Sequence, residues 1–302
     1  MAAAAYAGKA PMPATKVNFA LPPHSCDCHT HIFADPVKFP FAARRGYTPE
    51  PALPADMKAF HQALGLERVV IVTPSVYGTD NAATVYGLKQ IGKTARGIAV
   101  IGEQTTDREL DAMDRAGVRG IRLNLATAGI DDPAEGRKRF QRAAQRMKAR
   151  GWHIQIFAKL AVVAGISDLV RESPVPVVFD HFGGANAALG VEQPGFGALV
   201  ALVKSGKAYV KISGAYRAST QAPDYADATP LAQALIAASA DHVVWGTDWP
   251  HPDSASGRKF TEVSAPVSVD DGRLLNQLPV WAPDAAVRRK ILAENPARLY
   301  GY

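Results

Sequence analysis

The chain reads as an α/β protein of the (β/α)8 TIM-barrel class, with a single barrel domain. Three observations predict this. Eight short apolar strands alternate with eight amphipathic helical patterns, at intervals of roughly 25–40 residues that suit a closed barrel. Polar residues of catalytic type stand where the strands end, the position at which barrel enzymes carry their chemistry. An open doubly wound sheet would want a glycine-rich phosphate loop after its first strand. Here that place is taken by His29-Thr30-His31-Ile32-Phe33.

The strands are expected at 26–32, 69–73, 97–101, 120–123, 153–157, 177–180, 208–212 and 243–247. The second (Val69-Val70-Ile71-Val72) and sixth (Val177-Val178-Phe179) are unbroken apolar runs, as when helices cover both faces of a sheet. In the first strand, strict alternation sends His29 and His31 to one face and Cys26 and Cys28 to the other. Helices are expected at 55–64, 81–91, 107–116, 133–150, 161–172, 196–204, 225–238 and 285–292. Many begin after Asp, Asn or Pro, and Gly65, Gly92, Gly117 and Gly151 close four of them. The stretch 250–281 is long, polar and rich in Ser, Asp and Pro, and is expected as a loop lying over the barrel mouth.

Length and composition bound the rest. With 302 residues, 47% of them apolar, the chain can bury one large core. No run approaches the ~18 uninterrupted apolar residues of a membrane span, so no membrane association is expected. Residues 1–23 read as a loose, Ala-rich arm without the apolar stretch of a secretion signal; the barrel domain takes 24–302. Cys26 and Cys28 have no loop between them to close. A disulfide framework is therefore excluded, and a reducing cytoplasm fits.

The net charge of +6 does not make a nucleic-acid surface. Its densest stretch, 137–150, interleaves arginines with Phe140, Ala143, Ala144 and Met147 at helical spacing, the pattern of a solvated helix face. A mildly positive field suits a small organic anion. A monomer or small homo-oligomer is expected.

The strand ends supply the candidates. His29 and His31 close the first strand; two imidazoles side by side are a poor core choice and suit metal ligation or polarisation of a carbonyl. Asp180 and His181, followed by Gly183 and Gly184, close the sixth, with Asp180 open to a capping role. Asp248 follows the eighth strand and lies beside the first when the barrel closes, where an ionised carboxylate can accept a proton. Arg122, on a core strand, needs an anionic partner and is read with Arg217 as a clamp for a substrate carboxylate. Tyr47, Ser75, Tyr77, Tyr216 and His251 are further substrate contacts, and Lys211 is read as a structural partner. His24, His61, His153 and His242 stand alone and are read as satisfied structural or surface residues. No Gly-x-Ser-x-Gly elbow, P-loop or Cys-x-x-Cys occurs, so serine or cysteine nucleophilic hydrolysis has no visible machinery.

Together these stretches resemble the amidohydrolase superfamily (amidohydrolase family 2). The resemblance is narrower still to its 2-pyrone-4,6-dicarboxylate lactonase-like branch, which also holds sugar-acid lactonases, sulfomuconolactone hydrolase and galactarolactone isomerase. His29-Thr30-His31 and Asp248 are the diagnostic parts. Gly78-Thr79-Asp80-Asn81-Ala82, Phe179-Asp180-His181-Phe182-Gly183, Val244-Trp245-Gly246-Thr247-Asp248-Trp249-Pro250-His251-Pro252 and Glu294-Asn295-Pro296 extend the match over nearly the whole chain. The resemblance implies a lactone hydrolase of the kind used in aromatic-compound degradation, with Asp248 as general base and His29, His31 and His181 polarising the carbonyl.

Two-metal members of the superfamily carry a lysine on strand four and a histidine on strand five, where this chain has Arg122 and Gln155. The resemblance thus implies one divalent metal, zinc or manganese, held by His29, His31, His181 and Asp248, or none at all. The implied substrate is a small anionic lactone of the pyrone dicarboxylate, muconolactone or sugar-acid type. Gly184 and Leu125-Ala126-Thr127-Ala128-Gly129 stand where an arginine-richer pocket is expected, which implies less negative charge on the substrate or a different way of binding it. Lactone isomerisation and aromatic-acid decarboxylation are the alternatives on the same scaffold.

Overall fold

Eight parallel strands, hydrogen-bonded in chain order, form the sheet of the computed structural model, which describes residues 10–253 and 259–302. They are Cys26–Thr30, Arg68–Val72, Ala95–Ala99, Val118–Asn124, His153–Phe157, Val177–Phe179, Ala208–Ser213 and Val243–Gly246. Each expected strand is present, its ends displaced by at most two residues. Closure comes just past the eighth strand. His31 N donates to Trp249 O (2.8 Å) and Asp248 N donates to His29 O (2.8 Å), so the first and last strands are zipped at the level of the candidate site. Below, buried Asp27 accepts from Thr247 N (3.0 Å) and Thr247 Oγ1 (2.6 Å), with His61 Nε2 at 3.2 Å. One carboxylate thereby ties both closing strands to the helix Pro54–Leu64.

The core has two layers. Between sheet and helices lies the larger apolar cluster, with Phe60, Phe140, Phe196, Trp245, Trp249 and Leu292 fully or almost fully buried. Inside the barrel a smaller cluster joins Cys26 and Cys28 to Val70, Val72, Ile98, Val178, Tyr209 and Val244, with Tyr300 packed against it. This corrects the alternation expected for the first strand. The strand slips register between Asp27 and Thr30. A bulge lets successive residues face the same way, so the cysteines point into the barrel below His29 and His31. Both thiols are free and buried.

Other departures have local causes. The helix expected at 161–172 breaks at Ile166 into Leu160–Gly165 and Ser167–Arg171. The last helix runs from Ala285–Arg289 through a π turn, Lys290–Glu294, into Asn295–Tyr300. The arm is not loose over residues 10–23. Thr15 Oγ1 donates to Asp270 (2.6 Å), Asn18 N to Asn276 Oδ1 (2.9 Å), and Trp249 Nε1 to Pro11 O (2.9 Å). The stretch 250–281 is likewise more than a loop: Val263–Ser264 pairs in parallel with Thr48–Pro49, and helices Asp271–Asn276 and Leu278–Trp281 follow. Residues 254–258, part of the expected cover, lie outside the described residues. No helix among the described residues is long and apolar enough to cross a membrane.

Gly246 shows how tightly closure and site are coupled. A Cβ there would sit 2.8 Å from His29 N and 3.0 Å from His29 Cβ, inside contact distance. Gly246→Ala is expected to lower stability by about 1–3 kcal/mol through overpacking and to displace His29. A melting curve with an activity assay checks both, and an unchanged midpoint would show that the strand can yield there.

Candidate active site

The C-terminal ends of strands one, six and eight deliver four side chains to one point. Asp248 Oδ1 lies 3.3 Å from His31 Nε2, 3.5 Å from His29 Nε2 and 3.8 Å from His181 Nε2. All four residues are buried. Of the six non-glycine residues with positive φ among the described residues, two are His181 and Asp248 themselves, and Phe182 and His251 follow them within three residues in the chain. Backbone strain of this kind persists only where the surroundings over-determine it, and gathers at functional sites.

The outer partners orient the imidazoles. His31 Nδ1 faces Val72 O at 2.8 Å; His181 Nδ1 lies 3.3 Å from Ser213 O and 3.0 Å from Ser213 Oγ. A carbonyl only accepts, so each Nδ1 carries a proton, assigned from its partner; in a neutral ring that leaves the lone pair on Nε2. His29 Nε2 is buried with no hydrogen-bond partner among the described residues. Burial pushes His181 down to about 4 despite the nearby carboxylates, and lowers His29 well below its ordinary range, so both are neutral near pH 7. Burial alone would raise Asp248, yet the Arg217 guanidinium beside it holds it well below the usual carboxylate range.

Several electron-rich atoms thus face one another around a single point, an arrangement that a cation satisfies. Donor atoms of His29, His31 and Asp248 lie within 4.8 Å of one another, as do those of His29, Asp180 and His181. Imidazole nitrogens plus a carboxylate are the donor set of a catalytic zinc-type centre, so the residues fit one divalent ion.

The other carboxylate oxygen is occupied. Tyr216 OH (2.5 Å) and Arg217 Nε (2.8 Å) both donate to Asp248 Oδ2, leaving Oδ1 as the face turned to the histidines. Beneath lies a second charged network that periodicity along the sequence does not bring together. Asp180 Oδ2 accepts from Arg122 Nε (2.9 Å) and Gln155 Nε2 (3.0 Å), while Oδ1 lies 3.2 Å from His29 Nδ1 and 3.5 Å from Lys211 Nζ. Lys211, fully buried, also donates to Gln155 Oε1 (2.6 Å) and Cys28 O (2.8 Å). Burial lowers the Lys211 ammonium; it would raise Asp180, but His29, Arg122 and Lys211 hold that carboxyl well below its ordinary value. The signal was present as charged residues at inward register positions on apolar strands.

Above the cluster opens a cavity of about 370 Å³, walled by His31, His181 and Asp248 together with Arg122, Arg217, Tyr47 and Ser75. Among the described residues, Arg122 and Lys211 pair with Asp180 and Arg217 pairs with Asp248, an excess of cations that favours an anionic ligand. Burial pushes the Tyr47 phenol up to about 12, so it stays a neutral hydrogen-bond donor. Two expected substrate contacts lie elsewhere. The Tyr77 hydroxyl accepts from Ala34 N (3.0 Å) and its ring packs on Phe41; His251 is buried with Nε2 2.8 Å from Asp271 Oδ2. His153, expected to be an ordinary satisfied residue, is buried inside the barrel with its ring beside Gly120.

Comparison with known proteins agrees with this picture. A family model described as Amidohydrolase matches residues 26–302. The chain is 33% identical to a 4-sulfomuconolactone hydrolase of Rhizobium radiobacter, over 94% of this chain and 92% of that protein. It is 32% identical to a 2-pyrone-4,6-dicarboxylate hydrolase of Comamonas testosteroni, over 95% and 93%. An apo crystal structure from Agrobacterium tumefaciens superposes with a TM-score of 0.79 at 25% identity, covering 95% of this chain and 98% of that one.

Proposed function

This chain belongs to the amidohydrolase family, and from that membership we propose that it hydrolyses a small carboxylated lactone. The observation that carries the reading is the convergence of His29, His31 and His181 on Asp248 Oδ1 at the floor of a cationic cavity. Two relatives of about one-third identity are lactone hydrolases by name, which supports the same class.

The substrate carboxylate is held by the guanidinium groups of Arg122 and Arg217. Arg122 spends Nε on Asp180, and Arg217 spends Nε on Asp248 and Nη2 on Pro252 O (3.1 Å), so each keeps N–H groups for a ligand. Tyr47 and Ser75 donate from the opposite wall. Asp248 Oδ1, ionised and fixed by Tyr216 and Arg217 through Oδ2, takes a proton from the attacking water and returns it to the leaving ring oxygen. The lactone C–O bond breaks as the new C–O bond to water forms, giving a hydroxy or enol acid. A divalent ion held by His29, His31, His181 and Asp248 would, when bound, supply positive charge at the carbonyl and lower the pKa of water.

The test is a lactone panel followed with a pH indicator: pyrone dicarboxylate, muconolactones and aldaric-acid lactones, each with protein before and after chelation. Acid release from at least one is expected, with chelated protein losing most of its rate and recovering it on addition of zinc or manganese. No acid release from any member by folded, metal-supplemented protein would overturn the reading.

A further inference from the structure

A second cavity, of about 700 Å³, adjoins the first and shares Gly46, Ser75, Arg122 and Thr127 with it. The two form one two-chambered space with Arg122 at the junction. The reaction chamber alone falls within the roughly 300–1,000 Å³ of ordinary small-molecule sites, so the second chamber is room beyond the reacting ring.

Its walls differ in chemistry from those around Asp248. Ile101, Leu123, Leu125 and Phe260 line it with apolar surface, and Arg44, Arg45 and Arg139 add cations. Two of these are committed. Arg45 donates to Thr48 Oγ1 (2.8 Å) and Ala42 O (3.0 Å) and lies over the rings of Phe41 and Phe260; Arg139 pairs with Glu135 at 2.8 Å. Arg44 makes no hydrogen bond or ion pair among the described residues. Asn124, on the same wall, has its Oδ1 buried without a partner among the described residues.

We propose that this chamber is a subsite for a substrate arm: the lactone reacting at Asp248 carries an apolar alkyl or aryl extension that ends in a second anion, carboxylate or sulfonate, paired with Arg44. Apolar walls take the extension by excluding water, and Arg44 supplies a charge-assisted hydrogen bond to its end. The proposal rests on the lactone reading and adds what the substrate looks like away from the ring. It also separates this chain's substrate from a compact dianion, which would fill the reaction chamber alone.

The test compares a matched pair of lactones, one bare and one bearing an arylcarboxylate arm, on wild type and on Arg44→Glu. Arg44 is exposed, so its ion pair is worth up to roughly 5-fold, and reversing its charge adds a repulsion of similar size. The expected result is that Arg44→Glu lowers kcat/KM for the armed lactone about 10-fold more than for the bare one, chiefly through KM. Equal losses on both, or none on either, would overturn the subsite and leave lactone hydrolysis standing. Calorimetry with a non-hydrolysable aryl-linked dicarboxylate reads the subsite without turnover. Weaker binding to the Glu variant supports the subsite even if neither lactone opens, whereas equal binding by both proteins rejects it.

Discussion

Replacing Asp248 with asparagine is expected to lower kcat by about 1,000-fold or more while leaving the barrel folded, since a positioned general base contributes roughly 10²–10⁴-fold. The amide has the carboxylate's shape, so closure through Asp248 N and His29 O is untouched. What is lost is the proton-accepting Oδ1 at the focus of the three imidazoles and the charge that pairs with Arg217. Steady-state kinetics alongside circular dichroism reads both halves. A folded variant keeping more than a tenth of the wild-type kcat would remove Asp248 from the chemistry.

The second large effect lies beneath the cavity and concerns stability. Asp180 is the anion against which Arg122, Lys211 and His29 are buried. Asp180→Ala strands two cations away from water, and breaking a buried pair by removing one partner costs about 3–5 kcal/mol. Urea unfolding should show a loss of that order, large against a domain's total stability of roughly 5–15 kcal/mol. The companion variant carrying both Asp180→Ala and Lys211→Met removes one stranded charge and should recover part of the loss, because groups in one network do not add independently. A single-variant loss under about 1 kcal/mol would mean that the network is not held by this carboxylate.

Most of the fold was legible because barrel strands are short apolar runs with helices on both sides, a pattern that survives without knowledge of partners. Val69–Val72 and Val177–Phe179 announce themselves in this way. The cysteines did not, because the facing of Cys28 and His29 depends on a bulge in the first strand, and a bulge leaves no periodic trace in composition. The same limit explains Tyr77 and His251. Both stand near strand ends in the chain, but the path of the backbone turns Tyr77 to Ala34 and His251 to Asp271. Asp180 was visible as a polar residue after an apolar strand, yet its partners come from strands four, five and seven. Only barrel closure sets Arg122, Gln155 and Lys211 around it. Conversely, the pairing of His29 and His31 with Asp248 follows from barrel topology itself, since the eighth strand must lie beside the first.

The claim that water opens a lactone ring at Asp248 is tested most directly by running the reaction in 18O-labelled water and weighing the product. One heavy oxygen is expected in the new carboxylate for each ring opened, with loss of that product in Asp248→Asn. A product that forms without label, whether a rearranged lactone or an acid that has shed carbon dioxide, would contradict it.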